Sequence, residues 1–237
     1  MKNLKIKIFS DGANIDEMKL MNANKQISGL TTNPSLMRKS GITNYLEFVK
    51  NVLDFVIDKP ISFEVFSDDF DEMYRQAHKI NEYNKNGNIF IKIPVTNTKG
   101  EFSGDLIKKL SSEGLSLNVT AVFTEKQVHS IVKLLNKNSK SFISIFCGRI
   151  ADTGVDPEKL IKNITTTYKN ENFFEFIWAS PREVFNIIQA ERSGCHIITC
   201  TSDILNKLRY LNYSLEDFSM DTVKMFYDDA VASGFKI

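Results

Sequence analysis

Hydrophobic and polar positions follow two patterns that alternate along the chain. Short runs rich in Ile, Val and Phe are separated by longer stretches in which apolar residues recur at helical spacing. The short runs predict strands over residues 6–10, 27–30, 61–66, 88–94, 115–119, 142–146, 173–178 and 195–199. The stretches between them predict helices over 15–24, 44–57, 69–85, 100–113, from Thr124 onward, 157–169 and 181–193, then a short helix at 203–209 and a final one at 215–232. Thr124 with Gln127 three residues on is a capping-box signature, and Pro181 stands where a helix tolerates proline, in its first turn. Eight strands, each followed by a helix and with no Pro/Gly-rich linker or fixed-period repeat, predict one α/β domain over 1–237. Eight such units favour a closed (βα)8 TIM barrel, here with an additional C-terminal helix, over an open sheet.

One charge interrupts this pattern. The run Asn88-Ile89-Phe90-Ile91-Lys92-Ile93-Pro94 reads as a buried parallel strand, and alternation puts Phe90 and Lys92 on one face and Ile89, Ile91 and Ile93 on the other. Burial favours the neutral amine, the form of a lysine that attacks a carbonyl carbon. The competing reading is a lysine whose stem is buried while its head reaches water. In a (βα)8 barrel the chemistry sits at the C-terminal ends of the strands, and polar residues stand at nearly every such end here. They are Asp11, Thr31 and Asn33, Glu64, Lys92, Asn118 and Thr120, Ser144 and Arg149, and Ser180 and Arg182. Parity places Ser62 with Glu64, Ser116 with Asn118 and Thr120, and Ser144 with Phe142 and Phe146, so Glu64, Lys92, Asn118, Thr120, Ser144 and Phe146 aim into one cavity. This convergence favours a lysine-centred site over a solvated lysine.

Other chemistries find less support. His78, His129 and His196 are scattered without metal-ligand spacing and read as structural. Ser180 lacks a histidine and acid to activate it, and Ser180-Pro181-Arg182 opening a helix suggests anion binding. Cys147 falls on the opposite parity from Ser144 and Phe146 and is expected in the core, while Asp68, Asp69, Asp71 and Glu72 suit a solvated helix N-terminus. No G-x-G-x-x-G or Walker-type loop appears, which weakens a nucleotide-binding reading. Thirty basic and twenty-nine acidic residues, with no long run of one sign, point away from nucleic acid and membrane surfaces and toward a small ligand. Three cysteines without framework or finger spacing predict reduced thiols, and the absence of a leader-like start or an 18-residue apolar run makes a cytoplasmic protein the expectation.

The motifs Gly29-Leu30-Thr31-Thr32-Asn33-Pro34-Ser35, Ile91-Lys92-Ile93-Pro94-Val95-Thr96, Asn118-Val119-Thr120, Ser144-Ile145-Phe146-Cys147-Gly148-Arg149 and Ala179-Ser180-Pro181-Arg182 occur in the order found in one family. The chain resembles the small transaldolases and the related fructose-6-phosphate aldolases over nearly its whole length. That resemblance implies a Schiff-base lysine on the fourth strand at Lys92, an acid/base carboxylate at Asp11, and a water held by Glu64 and Thr120. It implies donor binding by Asn33, Asn118 and Ser144, with Thr31 beside them, and a phosphate cradle of Arg149, Ser180 and Arg182. Glu64 and Phe146 match the transaldolase branch, where the free aldolases have glutamine and tyrosine. The chain departs from the family at Gly12, at Ile145 and at Cys200-Thr201-Ser202-Asp203, where threonine, proline and proline are frequent. The implied activity is transfer of a dihydroxyacetone unit between sugar phosphates by a homo-oligomer, with no metal or organic cofactor because the iminium is the electron sink. The alternatives are free aldol cleavage, a different sugar phosphate, and a sugar-phosphate-binding barrel without turnover.

Overall fold

Strand side chains alternate between two faces, and when a sheet closes on itself one face becomes the lumen and the other the bed for the surrounding helices. The computed structural model, which describes residues 4–236, shows this division throughout the chain. Eight parallel strands close in sequential order: β1 (Lys7–Asp11), β2 (Ile27–Thr31), β3 (Ile61–Glu64), β4 (Ile89–Pro94), β5 (Leu117–Val122), β6 (Ser141–Ile145), β7 (Phe174–Trp178) and β8 (Ile197–Cys200). Around them run α1 (Ile15–Ala23), α2 (Pro34–Lys39), α3 (Tyr45–Leu53), α4 (Phe70–Asn81), α5 (Gly104–Ser112), α6 (Glu125–Val132), α7 (Cys147–Asp152), α8 (Pro157–Thr167), α9 (Phe185–Arg192), α10 (Ser202–Asn206) and α11 (Leu215–Ala232). The expected single-domain (βα)8 barrel with a C-terminal helix is therefore the observed fold, although residues 1–3 and 237 of the expected span lie outside the described residues.

Ile61, Phe63, Ile91, Ile93, Val119 and Ile143 are fully buried on the outer face, beneath helices whose apolar stripes include Val49, Val52, Ile107 and Ile131. Cys147 joins this outer core, as its parity predicts. Inside the barrel Phe9, Phe90, Phe142, Ile177 and Ile197 form a separate apolar plug, with Phe90 stacked on Phe142 at 4.0 Å. Gly29 is required by this plug, since a Cβ there would lie 2.5 Å from the Phe9 ring. The plug closes the lumen below the strand ends and gives the polar layer above it a dry floor.

The helix starts carry local causes. Asn33 accepts the Leu36 amide at 2.9 Å with Pro34 next in line, Asp69 caps α4 through Glu72 N, and Thr124 and Gln127 form the capping box foreseen for α6. Differences from expectation lie at the edges. The short helices α2 and α7 come in addition to the helices expected from periodicity, and α9 begins at Phe185 rather than Pro181. Residues 180–184 instead form a turn in which Ser180 takes a left-handed φ of 59°. β5 runs on to Val122 through a register shift against β6, with Ala121 at φ 59°, so a bulge lies directly beside Thr120.

Candidate active site

Lys92 is 8% exposed, on the lumen face of β4 just above the Phe90 layer. Its Nζ donates to the Thr32 main-chain oxygen at 2.5 Å and lies 3.8 Å from Glu64 Oε2. Glu64, opposite it on β3, is 4% exposed; burial pushes its carboxyl above the ordinary range, against the opposing pull of Lys92 and a hydrogen bond from Thr32. Tyr45 on α3 donates to the Glu64 main-chain oxygen at 2.7 Å, which fixes the strand end. Two buried polar atoms in this layer have no partner among the described residues, Glu64 Oε1 and Thr120 Oγ1. Both retain capacity for a hydrogen bond from or to a small molecule between them.

Asp11, at the end of β1, accepts from Thr31 Oγ1 at 2.7 Å and from Asn33 Nδ2 at 3.0 Å. Asn33 is oriented by its own capping role: with Oδ1 committed to Leu36 N, its amide nitrogen is directed at Asp11. Thr31 Oγ1 also lies 2.6 Å from Thr199 Oγ1 on β8, completing a Thr199–Thr31–Asp11 chain. The enclosing protein raises the Asp11 pKa, and nearby Lys92, Thr31 and Asn33 act in the opposite sense. Deeper in the lumen Asn118 donates to Ser62 Oγ at 3.0 Å and accepts from Ser144 Oγ at 2.7 Å.

Across the mouth stand the cationic groups. Arg149 projects from α7 and Arg182 from the turn after β7; both are exposed and both line the cavity with Ser180. Gly148 permits this approach, because a Cβ at that position would lie 1.6 Å from the Ser180 carbonyl oxygen. Arg182 makes a two-pronged contact with Asp152, at 3.1 Å from Nε to Oδ1 and more closely from Nη2 to Oδ2. The expectation that Ser180-Pro181-Arg182 opens a helix is corrected here. The amides of Arg182 and Glu183 donate to Asn186 Oδ1, so they are not free for an anion, and the cationic character rests on the side chains.

The resulting cavity of about 600 Å³ is lined by Asp11, Thr31, Asn33, Glu64, Lys92, Thr120, Ser144, Phe146, Arg149, Ser180 and Arg182. Of the residues singled out from sequence only Asn118 is absent from the lining, being fully buried beneath Ser144. Thr32 and Thr199 were missed. Thr199 carried the same signal as the others, a polar residue on the lumen parity of a strand end; Thr32 did not, since parity assigns it away from the lumen. A larger hollow of about 950 Å³ lies at the opposite mouth around Lys7, Glu175 and Phe174, the end of a (βα)8 barrel associated with stability rather than chemistry. The histidines are engaged structurally: His78 with Glu113, His129 with Tyr168 and His196 with the Phe176 amide. Among the described residues no group of three or more His, Cys, Asp or Glu is placed to hold a metal, and no helix is long and apolar enough to cross a membrane.

At the strand ends of this parallel (βα)8 barrel a buried lysine and two carboxylates face one cavity, with two arginines across its mouth, an arrangement of the enzyme class that keeps its chemistry at the strand ends. Residues 8–236 match the family described as Transaldolase/Fructose-6-phosphate aldolase. The chain belongs to this family of enzymes. A probable transaldolase of a Thermoanaerobacter species is 36% identical over 98% of this chain and 100% of its own length. One from Clostridium kluyveri is 38% identical over 84% of this chain and 88% of its own, and one from a Ruegeria species 35% identical over 98% and 100%. Solved structures share the barrel at low identity. A putative phosphonomutase from Burkholderia cenocepacia aligns with a TM-score of 0.56 at 12% identity, covering 97% of this chain and 93% of that one. Orotidine 5'-monophosphate decarboxylase from Metallosphaera sedula aligns at 0.55 and 14%, covering 90% and 98%.

Proposed function

We propose that this enzyme transfers a dihydroxyacetone unit between sugar phosphates through an iminium on Lys92. One observation carries the reading: the buried Lys92 amine, held between the Thr32 carbonyl and the Glu64 carboxylate, faces a cavity whose far side bears Arg149 and Arg182. The neutral amine attacks the ketone carbon of a ketose phosphate, and the carbinolamine loses water with proton transfer by Glu64 through a water that Glu64 Oε1 and Thr120 Oγ1 are free to hold. Asp11 accepts the C4 hydroxyl proton as the C3–C4 bond breaks; the electron pair moves into the iminium and leaves an enamine on Lys92. The raised pKa of Asp11 makes it a better base for that proton than an ordinary surface carboxylate. An aldehyde phosphate accepts the nucleophilic carbon, and water addition to the new iminium releases the product ketose.

Arg149, Arg182 and Ser180 are proposed to hold the substrate phosphate. Arg182 would then exchange Asp152 for a dianion, a trade that costs little because both partners of the ion pair are exposed. Thr31, Asn33, Asn118 and Ser144 are proposed to order the donor hydroxyls. Phe146 presents a phenyl ring, with no hydroxyl to deliver a proton, and so favours an enamine that waits for an acceptor. Incubation with fructose 6-phosphate, with and without erythrose 4-phosphate, separates the readings: the seven-carbon ketose phosphate should form with acceptor and little dihydroxyacetone without it. Equal release of dihydroxyacetone in both arms would make the enzyme a free aldolase.

Self-association belongs to the same reading. None of α11 is buried, yet Phe218, Met220, Val223, Met225, Phe226, Tyr227 and Val231 are exposed over much of its surface, beside a polar stripe of Asp217, Asp221, Lys224 and Asp228. Apolar surface of this extent marks an interaction face, and we assign it to contacts between copies of this chain, with the charged stripe left toward solvent. A monomer by sedimentation at micromolar concentration would refute that assignment.

A further inference from the structure

Thr32 touches both halves of the amine chemistry without lining the cavity. It is fully buried; its main-chain oxygen accepts from Lys92 Nζ, and its hydroxyl lies 3.0 Å from Glu64 Oε2 and 2.8 Å from the Ser62 main-chain oxygen. A hydroxyl has one proton, so these two acceptors compete for it. An ionised Glu64 wins, because a charge-assisted hydrogen bond is about twice as strong as a neutral one; a protonated Glu64 yields the proton to Ser62 O.

We propose that Thr32 is the positioning residue of the acid/base carboxylate, its hydroxyl turning between Ser62 O and Glu64 Oε2 as Glu64 gains and loses a proton. The inference rests on the proposed iminium mechanism. The contact occupies Oε2 and leaves Oε1, the oxygen without a partner, toward the water. As water adds to the iminium carbon, its O–H bond breaks, the proton passes to Glu64 and the iminium π pair returns to nitrogen. At that moment Glu64 becomes neutral and the Thr32 hydroxyl swings to Ser62 O; when the proton leaves, it swings back. The groups facing Glu64 are Lys92 from β4, Asp11 from β1 and Tyr45 from α3. Thr32 makes no hydrogen bond to Asp11, so its loss acts on Glu64 and leaves the Asp11 contacts to Thr31 and Asn33 in place.

The test compares wild type, Thr32→Val, which removes the hydroxyl at nearly constant volume, and Thr32→Ser, which keeps it. Both variants retain the main-chain oxygen that holds Lys92. Steady-state transfer from fructose 6-phosphate to erythrose 4-phosphate is followed across about pH 5 to 9, with melting temperatures as a check on folding. Glu64 must be ionised to accept the water proton, and loss of a hydrogen bond to the ionised form raises its pKa. Thr32→Val should therefore shift the acidic limb of kcat upward by about one pH unit and lower kcat roughly tenfold at the limb, with KM within about twofold of wild type. Thr32→Ser should restore the wild-type limb. An unshifted limb in Thr32→Val, or a shift that Thr32→Ser shares, overturns the proposal. Failure of the underlying mechanism is distinguishable, because wild type would then form no borohydride-stable adduct at Lys92.

Discussion

Replacing Gly148 with alanine tests how tightly the two cationic segments must approach. The glycine is not needed for an unusual φ; it is needed for space, since the new Cβ would lie 1.6 Å from the Ser180 carbonyl oxygen and 3.3 Å from Arg182 Nε. An ordinary non-bonded separation is about 3.5 Å, so α7 and the turn after β7 must part by about 2 Å. Overpacking of this kind costs about 1–3 kcal/mol, and at this chain length each kcal/mol lowers the melting temperature by about 2–4 °C. The same displacement moves Arg149 away from Ser180 and Arg182, and a misplacement of about 1 Å is enough to lose about a hundredfold in rate. Gly148→Ala should therefore melt several degrees lower and lose far more kcat/KM for phosphorylated than for unphosphorylated ketoses. Calorimetry and paired kinetics measure both. A melting temperature within about 1 °C of wild type with unchanged kcat/KM for sugar phosphates would show that the close approach has no part in holding the phosphate.

Three further outcomes follow from the same geometry. Arg149→Ala and Arg182→Ala should each weaken phosphorylated ligands by about 1.5–3 kcal/mol, roughly ten- to a hundredfold, with much smaller effects on unphosphorylated analogues; equal losses in calorimetric titrations would remove them from the phosphate site. The Arg182 change should leave stability nearly intact, because its Asp152 pair is exposed and screened by solvent. Phe146→Tyr adds a hydroxyl on the cavity wall and should raise the rate of dihydroxyacetone release without acceptor; an unchanged release rate would show that the ring does not govern proton delivery to the enamine.

Strand parity made most of the lumen legible in advance. Once 88–94 is read as a strand, Lys92 must share a face with Phe90, and the same rule brings Glu64, Thr120 and Ser144 to it; the structure agrees because a closed barrel leaves a lumen-facing side chain no other environment. The rule fails where backbone ceases to be regular. Thr32 follows the last residue of β2 and reaches sideways to β3, a direction that alternation does not describe. The helix α2 had a readable start in Asn33-Pro34, a cap followed by proline at the first helical position, whereas α7 begins at Cys147 after Phe146, which makes no side-chain cap, and left no such trace. Pro181 misled in the other direction. Proline suits a first helical turn, but it suits a turn equally well, and here the left-handed Ser180 before it sets a turn that delays α9 to Phe185. Asn118 has lumen parity yet sits one layer down, tied to Ser62 and Ser144, so parity gave its direction and not its depth.

Covalent capture at Lys92 is the most direct measurement of the mechanism. The enzyme is incubated with fructose 6-phosphate, reduced with borohydride, digested and mapped by mass spectrometry, beside Lys92→Met treated in the same way. Lys92 has a buried amine with a cavity in front of it, so a single reduced adduct should fall on the peptide containing Lys92, transfer activity should be lost in proportion to labelling, and Lys92→Met should be unlabelled and inactive. Label on another lysine, or transfer activity retained in Lys92→Met, would contradict the iminium mechanism.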